Sequence, residues 1–335
     1  MYAPLIILCP PRSFSSVVST IIGEHPQLYG FPELHIFAGD TVDEIIQREA
    51  KANRPAPAGL LRTLAQEHDG VQTTRTILRA IAWLNERRSW TTKALFDYLL
   101  DLVSPRIGVE KSPNTSRNSR FLERAYSMYP HAYFLHLTRH PVSARKSIQE
   151  FWANKQGDNT RRMSPLKTSL DSMFMWYQMH ANIMSFTQTL PVGQTMRIKG
   201  EDLLSEPEVY LPQIMQWLGG RDDQAAIASM MHPENSPYAY VGPSPARGGN
   251  DPKFMRSPVM RHGRVKEPSL TRFLEQNPDL SLMAPEILTE ILAESANAEI
   301  VNETGGESFG GESFLASGQN FTTEVTRLAH VMGYR

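Results

Sequence analysis

The chain opens with a short apolar run that lies between two prolines. Residues 5–8 are apolar throughout, with Pro4 and Pro10 on either side, which is typical of a strand buried on both faces. Residues 15–24 then place apolar side chains at helical spacing, with Gly23 near the end, which predicts a helix. A buried strand that leads through a tight loop into a helix favours folds built on a parallel sheet.

The same order of strand and helix recurs further along the chain. Strands are predicted over 106–110, 132–137 and 195–198, and helical spacing follows the last two. Residues 41–103 are predicted to be wholly helical and to form an insertion between the first and second strands. We therefore expect an α/β fold in which a parallel sheet is flanked by helices.

The C-terminal part of the chain has a different composition. Residues 233–263 are rich in Pro, Gly and Arg and show little periodicity, which predicts a long loop. The pentamer GGESF occurs twice in succession over 305–314, which is typical of a flexible linker. We predict one domain over 1–300, a linker over 301–320 and a C-terminal helix within 321–335.

Composition excludes some functions and predicts a compartment. The formal net charge is −1, so neither a nucleic acid nor an anionic membrane would meet a basic field. Cys9 is the one cysteine, so no disulfide forms within the chain, as is usual in reducing compartments. The apolar runs are too short for a signal peptide or a membrane span. We therefore expect a cytoplasmic protein without a nucleic-acid or membrane partner.

The loop over 10–16 connects the first predicted strand to its helix. A helix N-terminus presents unpaired N–H groups and the positive end of the helix dipole, so it binds anions. This loop adds a guanidinium, Arg12, and the hydroxyls of Ser13, Ser15 and Ser16, and arginine is a two-pronged donor for phosphate. The alternative is that Ser13 or Ser15 caps the helix.

The same loop lacks the motifs of the common nucleotide sites. A nucleoside-triphosphate P-loop needs GxxxxGK[ST] and a dinucleotide site needs GxGxxG, and neither is present. Phe14 stands where a glycine would be expected. The loop therefore predicts an anion site that belongs to neither a kinase nor a dehydrogenase.

A second basic segment follows the strand predicted over 132–137. Arg139 lies at the carboxyl end of that strand, where open α/β sheets bind ligands, and Ser147 lies about two turns into the next helix. The alternative is that Arg139 forms a surface ion pair and that Arg145 and Lys146 belong to a solvated helix face.

The two segments together resemble the cytosolic and carrier-associated sulfotransferases that use PAPS (3′-phosphoadenosine-5′-phosphosulfate). The resemblance implies that Arg139 and Ser147 bind the 3′-phosphate of the donor. It also implies that the first loop binds the 5′-phosphosulfate through Arg12, Ser13, Phe14, Ser15, Ser16 and Val17.

Other segments extend the resemblance over about 3–35 and 105–275. Residues 110–113 (EKSP) look like a family segment at the end of the middle strand, and 201–204 (EDLL) look like the family's YEDLL stretch, with Gly200 in place of tyrosine. The Arg-Lys-Gly loop with which many family members close the 3′-phosphate site is absent. Arg247 and Gly248 are the nearest match, with 261–264 as the alternative.

The resemblance implies an in-line transfer that depends on positioning and charge stabilisation. Lys111 and Arg12 are the predicted cations, and no metal is expected. Glu33, in a segment like the family's P-x-E-F, is the predicted base. Its pKa would be raised by three apolar neighbours, namely Phe31, Leu34 and Phe37. His35 is the alternative base, and Glu110 is the alternative supporting partner of Lys111, outside its direct contacts. Glu33 could also be an ordinary solvated carboxylate.

The sequence specifies the acceptor least. The helical insertion and the segments around 31–37 and 110–113 look like sulfotransferase domains of bacterial polyketide pathways, which sulfate a β-hydroxyl on an acyl chain carried by an acyl carrier protein. A methionine-rich stretch over 173–179 would line an acyl pocket or, as is commoner at helical spacing, form plain core. The alternatives are a free small-molecule alcohol as acceptor and a non-catalytic module that only binds the nucleotide.

Overall fold

The structure is a computed structural model that describes residues 3–155, 165–261, 263–277 and 321–335. The chain divides into two compact units. We call the first the sheet unit (Met1–Thr138 and Ile183–Val265) and the second the helical unit (Arg139–Asn182 and Lys266–Arg335). Along the described residues no helix is both long and apolar enough to cross a bilayer.

The sheet unit is built on five parallel strands. They are β1 (Leu5–Leu8), β2 (Leu28–Gly30), β3 (Ile107–Glu110), β4 (Tyr133–Thr138) and β5 (Thr195–Lys199). Their order in the sheet is β2-β3-β1-β4-β5, and every neighbouring pair is parallel. The predicted α/β class with a parallel sheet is therefore confirmed. Since β1 pairs with β3 and with β4 in parallel, the carboxyl ends of these three strands lie at the same edge of the sheet.

Helices follow the strands along the chain. Over the described residues the α-helices are α1 (Ser15–Gly23), α2 (Val42–Ala50), α3 (Ala58–Asp69), α4 (Thr74–Asn85), α5 (Thr92–Val103), α6 (Ser119–Met128), α7 (Pro141–Lys155), α8 (Pro165–Gln188), α9 (Gly200–Ser205), α10 (Pro207–Trp217), α11 (Gln224–Ser229), α12 (Pro252–Arg256), α13 (Leu270–Gln276) and α14 (Phe321–Val331). Short 3₁₀ turns occur at Ile36–Ala38, Pro113–Arg117 and Pro233–Asn235.

Two details of the sequence prediction are wrong. The pattern does not predict β2, because a strand of three residues is too short to show periodicity. The helical insertion, α2 to α5, consequently lies between the second and third strands of the chain and not between the first and second. The region predicted as a loop over 233–263 also contains α12. The proposed linker over 301–320 lies outside the described residues.

The core of the sheet unit fills both faces of the sheet. All four residues of β1 are buried completely, as its uninterrupted apolar run predicts. Ile6 and Leu8 pack into the cluster formed with α3 to α5, whereas Leu5 and Ile7 pack into the cluster formed with α1 and α10. Cys9 is buried as well, and burial raises the pKa of its thiol to about 12. Cys9 is therefore a structural thiol.

The helical unit has its own buried side chains. Trp176 of α8 is buried completely, and its Nε1 donates to the carbonyl oxygen of Arg139 at 2.9 Å. The ring of Tyr334, near the C-terminus, packs edge-on against His140 at 5.3 Å between centroids. Met173 and Met179 are buried on the same helix as Trp176, which favours the core interpretation of that methionine-rich stretch over an acyl pocket.

Candidate active site

The loop between β1 and α1 has the backbone of an anion-binding turn. Arg12 (φ 65°) and Phe14 (φ 62°) both adopt the left-handed conformation that favours glycine. Each such residue costs about 1–2 kcal/mol, and strain of this kind clusters at binding sites. Phe14 thus has a backbone conformation that glycine adopts most readily.

The hydroxyls of this loop do not cap the helix. Phe14, and neither Ser13 nor Ser15, is the N-cap residue of α1, and it makes no side-chain cap hydrogen bond, so the capping alternative is wrong. Ser13 Oγ is buried and has no hydrogen-bond partner among the described residues. Buried polar atoms without partners are rare, and this hydroxyl can donate to an anion at the loop.

The ring of Phe14 explains the glycine at 200. A Cβ built on Gly200 would lie 2.6 Å from Phe14 Cδ2 and 3.2 Å from the carbonyl oxygen of Thr138. No side chain fits at that distance. A tyrosine at this position, as in the family's YEDLL stretch, would therefore collide with the phenylalanine of the first loop.

Lys111 lies at the end of β3 and is buried completely. Its Nζ donates to Glu33 Oε1 at 3.0 Å, Asn250 Oδ1 at 3.1 Å and Ser16 Oγ at 3.2 Å. An ammonium has three protons, so all of them are engaged. Lys111, Glu33 and Ser16, three residues singled out from sequence, are thus brought into contact, and Asn250 joins them.

Glu33 lies between two basic groups. Its Oε1 contacts Lys111, and its Oε2 lies 3.7 Å from His35 Nε2. The side chains of Glu33 and His35 are 26% and 28% exposed, so both are accessible from solvent. His35 itself adopts a left-handed backbone conformation (φ 55°).

The expectation of a raised pKa for Glu33 is wrong. Burial does raise the pKa of this carboxyl, but the positive charge of Lys111 and the neighbouring His35 outweigh burial and lower the pKa to about 2. The apolar neighbours invoked for the increase (Phe31, Leu34 and Phe37) are buried in the core. Glu33 is therefore a firmly ionised carboxylate at neutral pH.

Glu110 is not the hydrogen-bond partner of Lys111. Its Oε1 accepts a hydrogen bond from Ser112 Oγ, and Ser112 Oγ accepts from the backbone N–H of His35 at 2.9 Å. Burial raises the pKa of Glu110 to about 7. Glu110 and Ser112 thus stabilise the left-handed turn at His35 through its backbone N–H.

Glu110→Gln is expected to change how stability depends on pH. In the unfolded chain Glu110 loses its proton near pH 4.3, but in the folded chain it keeps the proton until about pH 7. Between these values the unfolded state binds fewer protons, so the wild type loses stability as the pH rises. The variant lacks this loss. The free energy of unfolding of the variant, relative to that of the wild type, should therefore increase by up to about 3 kcal/mol between pH 5 and pH 8. Urea unfolding of both proteins at pH 5 and pH 8 measures this change. The same difference in unfolding free energy at both pH values would contradict the raised pKa of Glu110.

The late loop reaches the site through residues that the sequence did not single out. Arg247 is exposed, and the carbonyl oxygen of Gly248 accepts from Arg62 Nη1 at 3.0 Å. The next residues make the contacts with the site, because Asn250 binds Lys111 and Asp251 pairs with Arg12. The one available signal was the sequence Asp251-Pro252, which is typical of a helix start.

The second predicted segment lies in the helical unit. Arg139 follows β4 directly, and its carbonyl oxygen accepts from Trp176. Ser147 is buried on α7, and Lys146 is exposed there. Arg145 is not a plain surface residue, since its guanidinium lies 4.9 Å from the centre of the Phe273 ring.

Comparison with known proteins places this chain in a family. The model described as "Sulfotransferase family" matches residues 4–224. The solved sulfotransferase domain from the curacin biosynthetic pathway has a TM-score of 0.67 at 18% identity, and the alignment covers 100% of this chain and 99% of that chain. The sulfotransferase domain from the Synechococcus PCC 7002 olefin synthase has a TM-score of 0.65 at 18% identity, with 100% and 97% covered. No curated protein shows a significant sequence match.

These comparisons agree with the fold. The two solved domains have the same fold as this chain over almost their full length, and the family match covers more than half of the chain, including the first loop, Glu33 and Lys111. The chain belongs to the sulfotransferase family.

Proposed function

We propose that this sulfotransferase takes the sulfuryl group of PAPS and transfers it to an acceptor hydroxyl. The observation that carries the proposal is the fully buried ammonium of Lys111 in contact with Ser16 of the first loop. Arg12 of the same loop adds a guanidinium, and Ser13 adds a buried hydroxyl without a partner among the described residues. Cations and open donors of this kind fit the anionic oxygens of a phosphosulfate.

The donor contacts follow from the loop and from the family resemblance. Arg12, the hydroxyls of the loop and the N–H groups at the start of α1 would bind the 5′-phosphosulfate, with Phe14 and Val17 contributing through the backbone. Arg139 and Ser147 would bind the 3′-phosphate. Arg247 and Gly248 are the proposed late-chain contacts of that phosphate.

In the proposed reaction the chain supplies positioning and charge. Bound PAPS supplies an activated sulfuryl group on a phosphate leaving group. Lys111 and Arg12 would stabilise the charge that develops on the oxygen between phosphorus and sulfur, and each charged contact contributes about 1.5–3 kcal/mol. An ionised Glu33 with a pKa of about 2 is a weak proton acceptor.

The proton of the acceptor hydroxyl is therefore assigned to His35. Its Nε2 lies 3.7 Å from the Glu33 carboxylate, and an imidazole is the usual proton acceptor near neutral pH. Glu33 would orient the ring and stabilise the imidazolium, in the manner of a carboxylate behind a catalytic histidine.

His35→Gln is expected to lower kcat by about 10²–10⁴-fold, because glutamine cannot accept the proton. Its affinity for PAP (3′-phosphoadenosine 5′-phosphate, the product) should stay close to that of the wild type, since no donor contact is removed. Initial rates of PAP release and calorimetric titration with PAP measure the two quantities. If His35→Gln retains full activity and Glu33→Gln does not, the base is Glu33.

The proposed acceptor is the β-hydroxyl of an acyl chain on an acyl carrier protein. Support comes from the sequence resemblance to polyketide-pathway domains and from the fold shared with the curacin-pathway and olefin-synthase domains. The competing acceptor is a free small-molecule alcohol.

The proposal is tested first by binding and then by turnover. PAP should raise the Tm of the protein, and ATP with Mg²⁺ should not; the reverse result would refute a PAPS enzyme. Turnover is then compared between a β-hydroxyacyl carrier protein and the same acyl chain on free pantetheine. PAP binding without sulfation of either substrate, or of simple alcohols, would instead indicate a non-catalytic nucleotide-binding module.

A further inference from the structure

Two consecutive residues of the late loop contact both cations of the site. Asn250 Oδ1 accepts from Lys111 Nζ at 3.1 Å, and the Asp251 carboxylate forms an ion pair with Arg12. The backbone N–H of Asp251 also donates to Ser16 Oγ at 2.8 Å. One dipeptide therefore supplies a carboxylate and an amide oxygen to the cations that we assign to the donor.

The two carboxylate oxygens of Asp251 have different partners. Oδ1 accepts from the N–H groups of Lys253 and Phe254, at 2.7 and 3.4 Å, and so caps α12. Oδ2 contacts Arg12 Nη1. A helix cap needs one acceptor oxygen, and asparagine supplies it as well as aspartate does. The negative charge and the second oxygen of Asp251 are therefore not required by the helix.

The backbone before Asp251 is fixed from several directions. Arg62 of α3, which is buried, donates to the carbonyl oxygens of Gly248 and Tyr240 at 3.0 and 2.9 Å. The carbonyl oxygen of Gly249 accepts from the Glu33 N–H at 2.7 Å, and Asn250 Nδ2 donates to the carbonyl oxygen of Tyr238 at 3.2 Å. This anchoring presents the Asp251 carboxylate to Arg12.

We propose that Asp251 is an internal competitor for the donor site, because its carboxylate contacts Arg12 in the way that an anionic oxygen on the 5′ side of the donor would. Donor binding then has to displace Oδ2 of Asp251 from Arg12, while Oδ1 continues to cap α12. The same carboxylate balances the charge of Arg12 when no donor is bound. This inference rests on the proposed function, because it takes the anion to be the 5′ group of PAPS or PAP.

The test is Asp251→Asn, which keeps the cap and removes the charge. Calorimetric titration at low salt should show that PAP binds this variant about threefold to tenfold more tightly than the wild type. Adenosine 3′-phosphate lacks the 5′ group, so its affinity should be the same for both proteins. Added salt should narrow the difference for PAP, since the competing ion pair is screened.

A matched control is Asp223→Asn. Asp223 also caps a helix, α11, and also pairs with an arginine, Arg221, at 2.8 Å. This variant should bind PAP as the wild type does. An unchanged or weaker affinity of Asp251→Asn for PAP would overturn the proposal, and so would an equal gain for adenosine 3′-phosphate. Failure of the wild type and every variant to bind PAP would instead refute the proposed function itself.

Discussion

Lys111→Met should lower kcat by about 10²–10³-fold, the range found when one group that stabilises transition-state charge is removed. Methionine fills a similar volume without a charge, so the core around residue 111 stays packed. The affinity for PAP should fall much less than kcat, because Arg12 and the N–H groups of the first loop remain. Rates of PAP release at saturating donor and calorimetric titration with PAP separate the two effects.

The control for Lys111→Met is a lysine on the surface. Lys93 pairs with Asp97 on α5, and its side chain is 47% exposed, so Lys93→Met should leave kcat unchanged. The variant at 111 also leaves Glu33 without its counterion, which is destabilising. The double variant with Glu33→Gln should recover part of the lost stability but none of the lost activity. A kcat near that of the wild type would exclude Lys111 from the reaction.

Arg139→Ala is expected to weaken PAP binding by about 10- to 100-fold, the effect of losing one charged hydrogen-bonded contact. Adenosine 5′-phosphosulfate lacks the 3′-phosphate, so its affinity should hardly change. Competition of both nucleotides against a fluorescent PAP analogue gives the two ratios. Lys146→Ala, on the exposed face of α7, is the matched control. Equal losses for both nucleotides would remove the 3′-phosphate assignment.

The parallel sheet was predictable because β1 is an uninterrupted apolar run and because strand-like and helical segments alternate after it. The contact of Lys111 with the first loop was also predictable in outline. The strands β1 and β3 end at the same edge, Lys111 follows β3 directly, and the loop after β1 carries Arg12 and three serines. The strand β2 was not predictable from the sequence. It has only three residues, and it is recognised as a strand by its pairing with β3.

Other properties of the site depend on contacts between residues far apart in sequence. The low pKa of Glu33 arises from Lys111, 78 positions away, and no local pattern encodes that distance. Asn250 and Asp251 reach the site because residues far away in the sequence, among them Arg62, anchor their loop. The sequence around Asn250 and Asp251 has no hydrophobic periodicity, so no pattern indicated that these residues belong to the site.

Because Phe14 packs against Gly200, substitutions at these two positions are coupled in evolution. A tyrosine introduced at 200 alone would collide with the ring, whereas a glycine introduced at 14 alone would open a void beside a bare stretch of backbone. Either single step is costly, so relatives of this chain should carry phenylalanine with glycine or a small residue with tyrosine, and seldom a mixture. Grafting the first loop into another sulfotransferase would require both replacements at once.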